Sequence, residues 1–204
     1  MRVWRIPFST NVERVALALA HKGLQVEWVD VPRLDRQEVV AVSGQPFVPV
    51  LEDDGRVIAD STAILEYLEQ RHPDPPLYPR DEARRAEARV LLDWFNRVWK
   101  RPPNELEREL SAEQRAERRV EQLATELRES RDVFESLLTG RDYMLGDEFS
   151  VVDCAFFPFL KYGLLVDPED TEPFHQILVE HLAFNGDYPR LEAWVRRVDE
   201  RPRA

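Results

Sequence analysis

The chain has 204 residues, of which 43% are hydrophobic, and its 28 basic and 39 acidic residues give a formal net charge of −11. This length allows one large domain or two small ones, and the acidic balance argues against an overall basic surface for nucleic acid. The single cysteine, Cys154, excludes an intrachain disulfide and a Cys-x-x-Cys redox or zinc site.

The first 78 residues alternate between strand and helix patterns. Apolar residues at helical spacing predict a first helix that stops at Lys22-Gly23, and Asp53-Asp54-Gly55 is typical of a hairpin turn. The predicted elements are strand 2–6, helix 12–20, strand 26–31, short helix 35–42, strands 47–52 and 56–59, and helix 61–71. In this β-α-β-α-β-β-α order the first two strands are expected to be parallel and the last two to form a hairpin.

Four prolines in residues 72–80 indicate a linker, because proline is excluded from helix interiors and central strands. The segments beyond it have helical patterns, predicted over 82–100, 111–138, 172–182 and 189–200. We expect the first of these helices to end before Pro102-Pro103, and capping boxes to open helices at Ser111 and Ser150. The predicted division is an α/β domain over 1–78, a linker over 79–82 and an all-helical domain over 83–204.

The turn between the first strand and the first helix carries Ser9, Thr10 and Asn11. A helix N-terminus has unpaired backbone N–H groups and the positive end of the helix dipole, so it stabilises an anion such as a thiolate. A hydroxyl there can donate a charge-assisted hydrogen bond to the sulfur. The competing interpretation is an ordinary N-cap, because all three residue types are preferred caps and Thr10 with Glu13 forms a capping-box pattern.

Two further turns could hold the rest of a peptide-like ligand. Proline entering a strand removes a ladder N–H, and a cis bond between Val48 and Pro49 would turn the backbone of Val48 outward to pair with an added strand. Asp60-Ser61 opens a helix, where each residue alone is an ordinary N-cap. The predicted strand order brings the three turns to one end of the sheet. Together they suit the thiol, backbone and amino-acid groups of glutathione.

The sequence resembles the soluble glutathione transferase family, in particular its serine-type, bacterial-like members, over the length of the chain. The resemblance rests on family-like motifs in residues 9–19, 48–51, 60–64, 150–153, 188–194 and 201–202. It implies a thioredoxin-like N-terminal domain followed by a helical bundle. It also implies glutathione as co-substrate, with no metal.

The resemblance assigns a role to each candidate site residue. Ser9 corresponds to the catalytic serine that activates the glutathione thiol. Val48 and Pro49 correspond to the segment that pairs with the cysteinyl backbone of glutathione. Asp60 and Ser61 correspond to the pair that holds its γ-glutamyl group.

The first helix of the second domain carries two apolar faces. Trp94 and Val98 lie on one of them, and Phe95 and Trp99 on the other. Packing between the domains is the default interpretation of both. The functional alternative is that Phe8, Trp94 and Val98 line an apolar pocket for the electrophile.

One residue departs from the family pattern. Where many members carry Lys or Gln to reach the glycine carboxylate of glutathione, this chain has Phe47. Either Arg33 or Arg36 takes over that contact, or the site prefers a different thiol.

The turn that carries Ser9, Thr10 and Asn11 has no cysteine, and Cys154 has the pattern of a core residue. Glutaredoxin-like disulfide chemistry is therefore not expected. The four histidines show no metal-ligand spacing and are interpreted as surface or loop residues.

Two functions are weighed. The leading hypothesis is a homodimeric transferase for detoxification, which directs the glutathione thiolate at a small hydrophobic electrophile. The alternative is a non-catalytic module of the same fold, used for regulation or protein interaction, which Phe47 favours. No apolar run approaches the length of a membrane span and no charged-then-apolar leader opens the chain, so we expect a cytoplasmic protein without membrane or nucleic-acid partners.

Overall fold

The computed structural model describes residues Met1–Ala204 and confirms the predicted fold class, a thioredoxin-like α/β part with a separate all-helical part. The chain divides into two units. The first comprises Met1–Pro79 with Arg201–Ala204, and the second comprises Arg80–Glu200. None of the helices combines the length and the hydrophobicity that a membrane span requires.

The elements of the first unit follow the predicted order. They are β1 (Arg2–Arg5), α1 (Thr10–His21), β2 (Glu27–Asp30), α2 (Gln37–Ser43), β3 (Val50–Asp53), β4 (Arg56–Ala59) and α3 (Ser61–Arg71). The four strands form one sheet in the order β2-β1-β3-β4. Strands β1 and β2 are parallel, with helix α1 as their crossover, whereas β3 is antiparallel to both of its neighbours.

The strand register brings four connections to one edge of the sheet. Trp4 of β1 lies opposite Val29 of β2 and Val50 of β3, and Val50 lies opposite Ala59 of β4. At this edge the chain leaves the sheet after β1, β2 and β4, and it enters the sheet before β3. Because neighbouring strands are only about 4.8 Å apart, these connections lie side by side.

Trp4 holds helix α2 against the sheet. Its side chain is buried in a cluster with Val31, Val39 and Val50. Its indole Nε1 donates a hydrogen bond to Glu38 Oε1 at 2.8 Å, which satisfies the ring N–H in this position. The loop between β2 and α2 is therefore anchored at both ends.

The proline-rich segment after α3 is tied to the first unit by a buried lysine. The Lys22 ammonium contacts the Glu69 carboxylate at 2.8 Å and the carbonyl oxygens of His72 at 2.5 Å and Pro75 at 2.9 Å. Three acceptors match the three N–H donors of an ammonium group. The residues predicted as a linker thus belong to the first unit as far as Pro79.

Residues Arg201–Ala204 also belong to the first unit, although their sequence position suggested the helical domain. They pack along helix α1. Arg203 pairs with the Glu13 carboxylate at 3.0 Å, and Arg201 donates to Nδ1 of His21 at 3.1 Å. Because of these contacts with helix α1, the four C-terminal residues belong to the first unit and not to the helical one.

The second unit is helical throughout. Its elements are α4 (Glu82–Trp94), a π-helical turn (Phe95–Trp99), α5 (Arg101–Ser111), α6 (Glu117–Leu137), α7 (Val151–Leu160), a 3-10 turn (Lys161–Gly163), α8 (Pro173–Leu182) and α9 (Pro189–Asp199). Every residue of α7 is buried, as expected for a helix that is apolar on all sides, and Cys154 is part of this core. The ring of Phe95 stacks on Phe156 at 4.2 Å and on Trp99 at 4.4 Å.

One predicted helix boundary in this unit is confirmed and one was wrong. The helical segment that begins at Glu82 ends at Trp99, before Pro102-Pro103 as predicted, and the two prolines lie in the first turn of α5, where a missing N–H costs no hydrogen bond. Ser111, by contrast, does not open a helix, because it is the last residue of α5 and its hydroxyl donates to the Glu107 carbonyl at 2.8 Å. Helix α6 begins later, without a side-chain cap.

The predicted capping box at Ser150 is confirmed. Its hydroxyl accepts from the amide of Val152, and Asp153 reaches back to the Ser150 amide at 2.8 Å. The same carboxylate accepts from the amide of Met144 at 3.0 Å and from the indole of Trp194 at 2.8 Å. One buried carboxylate thus fixes three separate segments of the second unit.

Candidate functional site

The three turns singled out in the sequence lie at one edge of the sheet in the first unit. Ser9 follows β1, Val48 precedes β3 and Asp60 follows β4 directly. The pairing of Trp4 with Val50, and of Val50 with Ala59, fixes this edge. The structure therefore brings together the segments that the sequence predicted to meet.

Ser9 is the N-cap of helix α1. Its extended backbone places the side-chain oxygen 3.3 Å from the amide of Val12, from which it accepts a hydrogen bond. The capping box suggested for Thr10 and Glu13 does not form, because the cap lies one residue earlier. The hydroxyl hydrogen of Ser9 has no acceptor in the chain, so the side chain can cap the helix and still donate to a ligand.

Phe8 precedes this cap in a left-handed backbone conformation, with φ of 60°. Such a conformation is costly for a residue with a bulky side chain and often marks a functional turn. The phenyl ring is 39% exposed. A partly exposed apolar side chain thus immediately precedes Ser9 in this turn.

The peptide bond between Val48 and Pro49 is cis. The Val48 side chain packs against the core cluster around Trp4, which anchors this segment. The backbone N–H and C=O of Val48 take part in no hydrogen bond within the chain. One donor and one acceptor are therefore available at the start of β3 for an extended ligand.

Asp60 is the N-cap of helix α3 and has a strained backbone, with φ of 90°. Its Oδ1 accepts from the amides of Thr62 at 2.8 Å and Ala63 at 3.0 Å. The side chain is exposed, and its second oxygen has no partner in the chain. This carboxylate can thus cap α3 and accept from a cationic group of a ligand.

Ser61, next to Asp60, is buried and is engaged by an arginine from another helix. Nη1 of Arg14, in α1, donates to the Ser61 hydroxyl at 3.4 Å. Arg14 is itself 1% exposed. No local sequence pattern shows that Arg14 joins α1 to α3.

Phe47 is 74% exposed, immediately before Val48. Its backbone is fixed by Gln45, whose amide group accepts from the Phe47 N–H at 2.6 Å and donates to the Phe47 carbonyl at 2.9 Å. Arg36 donates from Nε to the Arg33 carbonyl at 3.0 Å. The loop after β2 and the segment before β3 are both ordered by such local bonds.

The two pocket residues predicted in the second unit differ in burial. Trp94 is half-buried, with its ring 5.7 Å from that of Phe134 and 6.4 Å from that of Phe156. Val98 is 51% exposed, in the π-helical turn that buries Phe95 and Trp99. Trp94 is thus partly engaged in the core of its own unit, whereas Val98 is available for contacts.

His175 is not the surface or loop residue that the sequence predicted, because it lies buried in helix α8. His175 is buried, its Nδ1 lies 2.8 Å from an oxygen of Asp170, and its ring stacks on Tyr162. Burial lowers the pKa of His175 from the ordinary value, although the Asp170 carboxylate opposes this change. No group of three or more His, Cys, Asp or Glu side chains is placed to hold a metal ion.

Comparison with known proteins gives consistent matches. The model described as glutathione S-transferase, N-terminal domain, matches residues 4–76, and the model described as glutathione S-transferase, C-terminal domain, matches residues 106–202. The chain is 33% identical to FtsZ-localized protein A of Caulobacter vibrioides over 96% of this chain and 85% of that protein. It is 27% identical to a stringent starvation protein A homolog of Coxiella burnetii over 98% of this chain and 96% of that protein.

A solved structure agrees with these matches. The crystal structure of a glutathione S-transferase from Rhodospirillum rubrum superimposes with a TM-score of 0.74. The similarity covers 98% of this chain and 88% of that chain, at 27% sequence identity. The resemblance therefore extends over both units.

Proposed function

Since the chain belongs to the glutathione S-transferase family, we propose that it binds glutathione at the sheet edge of the first unit and activates the thiol for attack on an apolar electrophile. The observation that carries this proposal is the geometry of Ser9. Its oxygen caps helix α1 while its hydroxyl hydrogen remains available to donate. A thiolate at this position accepts that hydrogen and faces the positive end of the helix dipole.

The proposed chemistry begins with loss of the thiol proton to solvent. The Ser9 hydroxyl lowers the thiol pKa because it binds the charged form more strongly than the neutral form. The thiolate then forms a carbon–sulfur bond with the electrophile, and a leaving group departs with its electron pair when the reaction is a displacement. An oriented donor to an anion contributes about 1.5–3 kcal/mol, equivalent to about one to two pKa units.

The rest of glutathione is proposed to bind along the same edge. The N–H and C=O of Val48, next to Pro49, pair with the cysteinyl backbone as an added strand would. The exposed carboxylate of Asp60 accepts from the γ-glutamyl ammonium group, and Ser61 contributes at the first turn of α3. The glycine carboxylate has Arg33 and Arg36 as candidate partners, because Phe47 offers no charge.

The division of labour between the domains is likewise a proposal. Residues 1–78 bind glutathione, and residues 83–204 supply most of the apolar surface for the electrophile, with 79–82 connecting them. Phe8, Trp94 and Val98 are the proposed lining of that surface. The exposure of Phe8 and Val98 supports this assignment, because neither side chain is needed to fill the core of its own unit.

A non-catalytic module for regulation or protein interaction is the second candidate. Exposed Phe47 favours it, as does the similarity over nearly the whole chain to relatives named as a stringent starvation protein and an FtsZ-localized protein. Retention on immobilised glutathione, followed by assays with aryl halides and hydroperoxides, separates the two. Retention with turnover supports the enzyme, whereas absence of both makes the module the better account.

We further propose a homodimer that acts in the cytoplasm, in detoxification, without nucleic-acid or membrane partners. Apolar side chains exposed on α4 and α6, Val90 at 67% and Val133 at 45%, support an intersubunit contact on these helices. Sedimentation at micromolar concentration tests the dimer. A species with the 23.9 kDa mass of one chain would count against it.

A further inference from the structure

Two apolar side chains project from the sheet edge that carries the candidate site. Leu34, in the loop after β2, is 97% exposed, and Phe47, before β3, is 74% exposed. Strands β2 and β3 both neighbour β1, so the two residues stand on either side of the Phe8-Ser9 turn. Burial of either side chain against an apolar group of a ligand would remove apolar surface from water and would favour binding.

Leu34 and Phe47 lie in loops that are ordered by local hydrogen bonds. Gln45 makes hydrogen bonds to both backbone groups of Phe47, at 2.6 and 2.9 Å. Around Leu34, the amide of Asp35 donates to the Pro32 carbonyl at 3.3 Å, and the Asp35 carboxylate accepts from the amide of Gln37 at 3.1 Å. Both side chains are therefore exposed on ordered loops, and fraying of the loops does not explain their exposure.

The charged side chains along this edge of the sheet favour one orientation of a bound peptide. Asp60, at the β4 end, presents an unpaired carboxylate oxygen that suits an ammonium group. At the β2 end, the loop that carries Leu34 also carries Arg33 and Arg36, which suit a carboxylate. An extended peptide that pairs with Val48 between these ends therefore has its carboxyl-terminal residue on the side of Leu34.

From this arrangement we propose that the preferred thiol of this site is a γ-glutamylcysteinyl peptide whose carboxyl-terminal residue is apolar and about the size of leucine, rather than glycine. The inference rests on the proposed thiol-binding function and specifies its substrate class. Glycine has no side chain to cover Leu34 or Phe47, so both stay in water when glutathione binds. A leucine side chain removes apolar area from water on both partners.

The test is calorimetric titration of the full chain, under reducing conditions, with γ-Glu-Cys-Gly and γ-Glu-Cys-Leu. We expect the leucine peptide to bind about ten-fold tighter, equivalent to about 1.4 kcal/mol. The Phe47→Ser and Leu34→Ser variants should each lose most of this preference while binding glutathione as before. Val57→Ser, at an apolar residue of β4 that is 40% exposed, is the control and should keep this preference.

The outcomes distinguish this inference from the function on which it rests. Equal affinity for the two peptides, or tighter binding of glutathione, overturns the preference and leaves the thiol site standing. A preference that survives in both serine variants also overturns it, because the selectivity would then arise elsewhere. If neither peptide binds the folded wild-type chain, the proposed thiol site fails and the preference fails with it.

Discussion

The guanidinium of Arg14, buried in helix α1, donates a hydrogen bond to the hydroxyl of Ser61 in the first turn of helix α3. Ser9 caps the first of these helices and Asp60 caps the second. The bond therefore ties together the two helices whose N-termini form the candidate site. Loss of this bond would therefore change the position of the Ser9 hydroxyl relative to the Asp60 carboxylate.

The Arg14 contact predicts a large loss of stability on substitution. Arg14→Ala removes a buried side chain that fills space and makes charged hydrogen bonds, so the free energy of unfolding should fall by about 3–5 kcal/mol. Ser61→Ala removes one partner only and should cost about 1–3 kcal/mol, because the arginine stays buried. Urea denaturation of both variants measures the difference. A smaller loss for Arg14→Ala than for Ser61→Ala would contradict the account.

Asp153 should be the most sensitive polar position of the second unit. Burial raises the pKa of this carboxyl, while hydrogen bonds from Met144, Trp194 and Ser150 oppose that change. Asp153→Ala leaves these buried donors without an acceptor and should cost about 3 kcal/mol or more. Ser150→Ala, which removes only the cap hydroxyl, should cost about 1 kcal/mol. Thermal and urea unfolding of the Asp153→Ala and Ser150→Ala variants measure the two losses of stability. Equal losses would contradict this prediction.

Stability should fall in mild acid because of buried imidazoles. Burial is the main cause that lowers the pKa of His21, His175 and His181 below 6.5. A histidine with a lowered folded pKa binds protons less readily in the folded chain than in the unfolded chain. Its contribution is therefore fully present above the unfolded pKa of about 6.5 and is lost as the pH falls through the folded pKa.

A variant isolates the part of this effect that comes from His175. Its surroundings include the carboxylates of Asp170 and Glu107, which favour the charged ring, and the ammonium of Lys161, which opposes it. His175→Gln cannot titrate, so its unfolding free energy should decline less than that of the wild type between about pH 7.5 and about pH 5. Urea denaturation at several pH values measures both slopes. An unchanged slope would remove His175 from the explanation.

Phe47→Lys should tighten the binding of glutathione slightly. The added ammonium group can reach the glycine carboxylate in an exposed ion pair, which is worth about 0.2–1 kcal/mol, or about 1.4- to 5-fold in affinity. The same change should weaken binding of the leucine peptide, because a cation replaces an apolar surface. Calorimetry with both peptides tests this reversal. Weaker glutathione binding by the lysine variant would show that the carboxylate lies elsewhere.

The sequence predicted the α/β part well because its elements carry strong local signals. The hairpin turn at Asp53-Asp54-Gly55 separates two short strands, and the helical spacing after Ser9 ends at a glycine. Strand order then places the three turns at one edge, since parallel β1 and β2 need a crossover and β3 and β4 need only a hairpin. These constraints act over short stretches of chain, so they can be identified from the sequence.

Other features depend on contacts between residues far apart in the chain. The bond from Arg14 to Ser61, the buried pair of His175 with Asp170, and the packing of residues 201–204 on α1 have no local signature. The helix that Pro102 and Pro103 open was not predicted, because a proline pair can follow the end of one helix or begin another, and the sequence pattern around it does not distinguish the two. Exposure of Leu34 likewise could not be inferred from an apolar residue type.

Substitution of Ser9 tests whether its hydroxyl serves the thiol or only the helix. Ser9→Ala should reduce turnover with glutathione about ten-fold or more, since one oriented donor to the anion is worth about 1.5–3 kcal/mol. It should also cost about 0.5–2 kcal/mol of stability through loss of the cap. Ser9→Thr keeps a hydroxyl and should therefore retain most of the turnover and most of the stability. Turnover unchanged in Ser9→Ala would transfer the role to Thr10, Asn11 or the backbone.

The central claim, that Ser9 stabilises a thiolate, is tested most directly by a pH titration of bound glutathione followed through the ultraviolet absorbance of its thiolate. The wild-type complex should ionise at least about one unit below the ordinary thiol pKa of about 8.5. In Ser9→Ala that pKa should rise by about one to two units. Identical titration curves for the two proteins, or ionisation of the wild-type complex at the pKa of free glutathione, would contradict the claim.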